Sequence, residues 1–203
     1  MSNSETQVGL KEVRQKVLAG TQVIQNLIPP TVSYTTEGNV LVIGPEDLAR
    51  LAADKLSSMG QCAILANEPI TSQDEDHLEK VMNAAENVES YYNKLIEIKG
   101  FLGQFQVKVE HDNGSAELST VAIRKAHFDL ILDLSMSPCI NLEMLPPGYF
   151  YVGQDEAKLA DALEQLPDLI GSFDKPRYVK INSDICTHNR NGNEGRTRCL
   201  NFC

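Results

Sequence analysis

The sequence predicts an α/β fold: a mixed, mostly parallel, Rossmann-like sheet flanked by helices, followed by an irregular C-terminal tail that carries cysteines. Three observations predict it. Short runs rich in aliphatic and β-branched residues, NVLVI (39–43), CAIL (62–65) and FDLILDL (128–134), read as buried strands. The first two enclose a stretch of helical spacing, and strand, helix, strand in succession implies parallel strands joined by a right-handed crossover. From residue 183 the composition changes to Asn, Gly, Arg, Thr and Cys with hardly any apolar side chain, and such a segment cannot close a core of its own.

Taken in order, Leu10, Val13, Val17, Ile24 and Leu27 lie at helical spacing and Pro29-Pro30 ends the run, so residues 1–30 are expected to hold an amphipathic N-terminal helix packed on the body. The strand at 39–43 leads into Gly44-Pro45, and proline suits a first helical turn. Leu48, Leu51, Ala52 and Leu56 then share a helical face, and Gly60 ends it before the strand at 62–65. Ser72 and Glu75 have the spacing of a capping box. Leu78, Val81, Ala85, Val88, Tyr92 and Leu95 continue at helical period, which predicts one long helix. Residues 95–99 and 104–110 alternate apolar and polar positions around Gly100 and Gly103, the pattern of a hairpin. His111-Asp112-Asn113-Gly114 reads as a turn, and residues 155–166 as a helix ended or kinked by Pro167. A short extended run at 177–181 leads into the cysteines. The domain expectation is a helix over 1–30, an α/β domain over 31–182 and a separate cysteine-bearing segment over 183–203.

The bulk properties exclude several function classes. At 203 residues the chain suits one sizeable domain, alone or with an appendage, and 42% hydrophobic residues suffice for a core. Its net charge of −10 argues against nucleic acid as a partner, because phosphate binding needs clustered Lys and Arg. The acidity reads as a solvated surface, with a docking face for a basic partner as the other reading. No apolar run approaches the roughly 20 residues that a membrane helix needs. The N-terminus lacks a basic start followed by an apolar stretch, so a soluble cytoplasmic protein without membrane insertion is expected.

Within the α/β region the candidate sites are modest. The Gly44-Pro45-Glu46-Asp47 turn stands where a strand enters a helix, the position at which helix N–H groups bind phosphate. It lacks the three-glycine fingerprint, Pro45 removes a donor, and Glu46 and Asp47 repel an anion; acidic first-turn residues also stabilise a helix with no ligand. A nucleotide-binding α/β module on this turn is the alternative function. Cys62 and Cys139 sit in apolar stretches and read as core thiols, since no histidine near Cys139 in sequence offers a base. Asp129 and Asp133 fall at i,i+4 on one strand face and read as a solvated rim. No serine elbow, Walker loop or zinc-protease motif is present, and no catalytic residue is identified.

The tail carries the strongest pattern, Cys186-x12-Cys199-x3-Cys203, three of the five cysteines. Thiolates are what iron–sulfur clusters require, and the x3 interval is the last one of the bacterial ferredoxin run C-x2-C-x2-C-x3-C-P. The stretch PRYVKINSDIC…RTRCLNFC resembles the opening of a 4Fe–4S ferredoxin domain. Together with FDLILDLS and PPGYFYVGQD ahead of it, it resembles the N-terminal region of larger proteobacterial 4Fe–4S cluster-binding, ferredoxin-like proteins. The likeness is specific at the cysteines and the PPGYF segment and loose over residues 1–125.

The resemblance implies an α/β scaffold or docking domain preceding cysteine motifs, an electron-transfer role beside a redox protein partner, and Cys186, Cys199 and Cys203 as ligands of a 4Fe–4S cluster. It also implies that the chain is cut within its first cysteine motif, with the cluster absent or incomplete in this fragment. One departure stands out: Arg196 occupies the position of the second cysteine, and a Gly- and Asn-rich insertion separates it from Cys186. A fourth ligand then comes from His188 or from downstream sequence, or three cysteines hold a 3Fe–4S cluster. The rival is structural zinc, since Cys186, His188, Cys199 and Cys203 supply four N/S donors.

Overall fold

A computed structural model describes residue 16 and residues 31–71, 74–111, 114–142 and 144–176. In chain order the elements are β1 (Thr31–Thr36), β2 (Val40–Pro45), α1 (Glu46–Lys55), β3 (Cys62–Glu68), α2 (Glu75–Asn83), β4 (Ser90–Tyr91), β5 (Leu95–Lys99), β6 (Gln106–His111), β7 (Gly114–Glu117), α3 (Leu118–Ala122), β8 (Leu130–Asp133), β9 (Tyr149–Tyr151), α4 (Glu156–Gln165), a 3-10 turn Leu166–Leu169 and β10 (Gly171–Pro176). Residues Ser33–Asp174 form one compact unit, to which the description below applies.

A strand covered on both faces must be apolar at successive positions, and VLVI and LILD meet that demand. Every residue of β2 and of β8 is buried. These two strands pair in parallel at the centre of a five-stranded sheet of order β4-β3-β2-β8-β9, parallel throughout. Counted along the chain, that order is 3-2-1-4-5. The antiparallel hairpin expected around Gly100 forms as β5 and β6, and β7 extends it to a three-stranded sheet β5-β6-β7. The parallel and antiparallel strands thus belong to separate sheets rather than to one mixed sheet. A third, two-stranded pair joins β1 to β10.

Alternation along the central strands divides the core in two. Val40, Val42, Ile64, Leu130 and Leu132 meet Ala49, Ala52, Ala53 and Leu56 from α1 and its C-terminus, and Ala162 of α4. Leu41, Ile43, Leu65 and Ile131 face the other way, onto Val107 and Val109 of β6 and Leu118 of α3. Helices therefore cover one face, and the antiparallel sheet with α3 covers the other. Each fully buried Leu or Ile contributes roughly 1.5–3 kcal/mol, so the central strands anchor the unit.

The long helix read from Leu78 to Leu95 is shorter in the structure. α2 begins with Asp74 accepting the Asp76 N–H at 3.2 Å, and it ends at Asn83. Ala85 then takes a positive φ of 50°, and its N–H reaches Asp54 Oδ1 at 3.4 Å. That reversal returns the chain to the sheet, where Ser90–Tyr91 pairs with β3. Ala85 and Val88 still pack on the core, which explains the apolar spacing without a helix. Pro167 does end α4, and the chain continues through the 3-10 turn. The helix expected over 1–30, Ser72 of the capping box and the extended run at 177–181 lie outside the described residues, residue 16 apart.

Gly44 closes β2 with a φ of +150°, and a Cβ built there would lie 2.7 Å from Leu134 Cβ. The glycine thus serves the close passage of β2 against the end of β8. Gly44→Ala is expected to destabilise the protein by about 2–4 kcal/mol through strain and overpacking together, checked by urea unfolding; a loss within experimental error of zero would refute this account of the glycine.

Candidate functional site

Two connections leave the centre of the parallel sheet in opposite directions. After β2 the chain turns into α1, on the helical face. After β8 it enters residues 134–148, whose Cys139 and Ile140 pack on the face of the antiparallel sheet. Where neighbouring parallel strands send their connections to opposite faces, a crevice opens beyond their carboxyl ends. Here it forms a cavity of about 400 Å³. Ile43, Leu65, Ala66 and Leu95 give it apolar walls, and Asn67, Lys94, Ser135 and Cys139 supply polar groups. A hollow of about 490 Å³ lies at the other end of β3, beside Gly60 and Cys62, away from the divergence of the two connections.

Asp133, at the last position of β8, organises the crevice. It is fully buried. Its Oδ1 accepts the Ser135 N–H at 3.0 Å, and its Oδ2 accepts the Cys139 N–H at 2.8 Å. The Tyr149 hydroxyl of β9 also donates to Oδ2, and its oxygen accepts the Ile140 N–H at 3.2 Å. Burial first, then the bond to Asp133, pushes the Tyr149 phenol far up, so it stays a donor. One carboxylate thus satisfies donors that the turn after β8 would otherwise bury unpaired.

Asp129 does the matching task at the amino end of the same strand. Its Oδ2 accepts the N–H groups of Glu37 at 2.8 Å and Asn39 at 2.9 Å, and the Asn39 side-chain amide at 3.1 Å. The reading of Asp129 and Asp133 as a solvated rim is therefore corrected: both are buried. Asp133 ends β8 and Asp129 directly precedes it, and loops fold back over both ends of the strand and turn their N–H groups onto the two carboxylates. The signal for Asp133 was in the sequence as an Asp at a strand end with Ser two residues on, the pattern of an Asx turn.

Ser135 links the parts of the crevice. Its hydroxyl receives Asn67 Nδ2 at 3.3 Å and lies 3.7 Å from Cys139 Sγ. Burial, then the charge of Asp133, pushes the Cys139 thiol up to about 11. Burial pushes Cys62 up to about 12. Both therefore stay neutral thiols at physiological pH, and a neutral thiol is neither a strong nucleophile nor a metal ligand. This agrees with the reading of both as core residues, although each keeps some exposure.

At the first turn of α1, Glu46 is buried. Burial works to raise its pKa, but hydrogen bonds from Tyr92 and Arg50 outweigh it and hold it below the usual carboxylate range. Arg50 Nε lies 3.0 Å from Oε1, and the Tyr92 hydroxyl donates to Oε2 at 2.8 Å. The Gly44-Pro45 turn is thus followed by a buried, ionised carboxylate, which repels an anion brought to the first turn of α1.

Cys186, His188, Arg196, Cys199 and Cys203 lie outside the described residues. Among the described residues no group of three or more His, Cys, Asp or Glu side chains is arranged to hold a metal ion, and no helix is long and apolar enough to cross a membrane. Fold and site together define a mixed α/β protein with a five-stranded parallel sheet and a crevice at its carboxyl edge. No protein-family model matches the chain, and no curated protein matches it.

A thiol whose folded pKa exceeds its unfolded value contributes stability that is complete below the unfolded pKa and is lost as pH rises through the folded one. With Cys139 raised from 9.0 to about 11, stability is expected to fall across that window, and Cys139→Ala to lessen the fall by up to about 2 kcal/mol. Urea midpoints measured across the window check this; equal slopes for both proteins would contradict it.

Proposed function

We propose that this chain belongs to an iron–sulfur electron-transfer protein, in which a Rossmann-like α/β unit is the scaffold or docking module and Cys186, Cys199 and Cys203 are cluster ligands. The observation that carries the reading is how the five cysteines divide. Cys62 and Cys139 are held neutral by burial, and the other three fall in the last eighteen residues, with the x3 interval of a ferredoxin loop. The 3-2-1-4-5 order of the sheet supports the Rossmann-like part.

The donor chemistry of the tail fits the group. Three thiols with His188 make a soft N/S set, able to hold a 4Fe–4S or a 3Fe–4S cluster. A bound cluster supplies one-electron transfer; the cysteines bind it as thiolates, and the α/β unit presents it to a redox partner. A nucleotide-binding module on the Gly44-Pro45 turn is disfavoured by the ionised Glu46 at the first turn of α1 and by the packing account of Gly44.

Anaerobic reconstitution with ferrous iron and sulfide, on the chain together with whatever its gene encodes after Cys203, tests the proposal. The expected result is a brown protein with sulfide-to-iron visible absorption and an iron-to-sulfide ratio near unity. Cys199→Ser and Cys203→Ser should each lower cluster content severalfold while leaving the far-UV circular dichroism unchanged, since neither residue lies in the α/β unit. A chain that stays colourless and instead takes up one zinc ion would overturn it.

A further inference from the structure

We infer that the crevice at the carboxyl ends of β2, β3 and β8 is a binding site for a small monocarboxylate with a short apolar body. No tail cysteine is among the described residues that line it.

Position and shape give the first argument. The crevice opens where the connections after β2 and β8 diverge to opposite faces of a parallel sheet, the general location of ligand sites in such sheets. Its volume of about 400 Å³ falls in the range of small-molecule pockets.

The lining decides the ligand class. Ile43 and Leu65, each only 2% exposed, and the nearly buried Ala66 offer an apolar floor. Lys94 is the one charged residue among those lining the cavity, and it also borders a second hollow with Glu110 and His111. It makes no ion pair among the described residues. Asn93 donates its amide to the Glu110 carbonyl at 2.9 Å, so that donor is already taken. Ser135 and Asn67 are already joined to one another, so they present a fixed hydroxyl and amide rather than two floating ones. One cation beside hydroxyl and amide groups, above an apolar floor, matches a single negative head and a hydrocarbon body.

The same surroundings reject a polyphosphate. Glu46 stands behind Tyr92 at the first turn of α1 as an ionised carboxylate, already paired with Arg50. Its negative charge disfavours a ligand that brings several anionic groups into the crevice more than one that brings a single carboxylate. Cys139 adds a neutral thiol to the wall and no reactive thiolate.

The test uses the full chain, isotopically labelled, with hexanoate, hexylamine and ATP as probes and amide shifts as the readout. Hexanoate is expected to move the amides of Ile43, Ala66, Asn67, Leu95, Ser135 and Cys139 with a Kd of roughly 1 mM or tighter, a range that one ion pair and a few buried methylenes reach. Lys94→Glu, at an exposed position, should weaken that binding about tenfold, and Asn67→Leu should weaken it while hexylamine stays without effect. Hexanoate should also slow labelling of Cys139 by a neutral maleimide, read from the peptide that contains it. The inference is overturned if ATP or hexylamine moves these amides at lower concentration than hexanoate, if Lys94→Glu leaves hexanoate binding unchanged, or if no probe moves them. Cluster loading in the tail is not involved in any of these outcomes, so this inference and the iron–sulfur reading fail independently.

Discussion

The buried carboxylate of Asp133 is the interaction on which the carboxyl edge of this sheet depends. A parallel strand that ends inside a protein leaves backbone N–H groups in the turn beyond it, and burying them unpaired costs roughly 1–3 kcal/mol each. Asp133 receives the N–H groups of Ser135 and Cys139 and the hydroxyl of Tyr149. That places Ser135 and Cys139 in the crevice wall and ties β9 to the turn after β8. Asp129 closes the opposite end of the same strand onto Glu37 and Asn39. β8, beside the central strand, is thus apolar between its ends and held at both by an acid that a surface reading would have left in water.

The fold was legible where the physics is local. Runs of aliphatic residues on β2, β3 and β8 have one explanation, burial on both faces, and the Gly100–Gly103 punctuation marks the β5–β6 hairpin. What escaped was set by distant contacts. Leu78 to Leu95 kept a helical spacing because Ala85 and Val88 pack on the core, yet the backbone reverses at Ala85 and delivers a two-residue strand. β9, three residues long, and α3, five residues long, are too short to show a period. The i,i+4 spacing of Asp129 and Asp133 carried no sign of the loops that cover both ends of the strand and make two buried anchors of an expected rim.

The two chemistries proposed for the chain would draw on different parts of it for a physical reason. A core thiol is neutralised by the burial that makes it a good packing residue, as Cys62 and Cys139 show. Ligand thiolates need a polar segment that a metal can order, and residues 186–203 have that composition. The crevice, in contrast, needs a rigid floor and preset polar groups, which strand ends provide better than a tail does. Glu46 belongs with this division: its ionised carboxylate at the first turn of α1 stabilises the helix from within and makes an external phosphate redundant.

The central structural claim is that Asp133 holds the turn after β8 and with it the crevice wall. Amide hydrogen exchange on Asp133→Asn tests it most directly, because the amide side chain keeps the volume but loses the charge and one acceptor. The account predicts that exchange at Ser135, Cys139 and Ile140 accelerates about tenfold or more, a local loss of at least about 1.4 kcal/mol, while amides of β2 and β3 remain protected. Unchanged exchange at those three positions, or an equal acceleration across the whole parallel sheet, would contradict it.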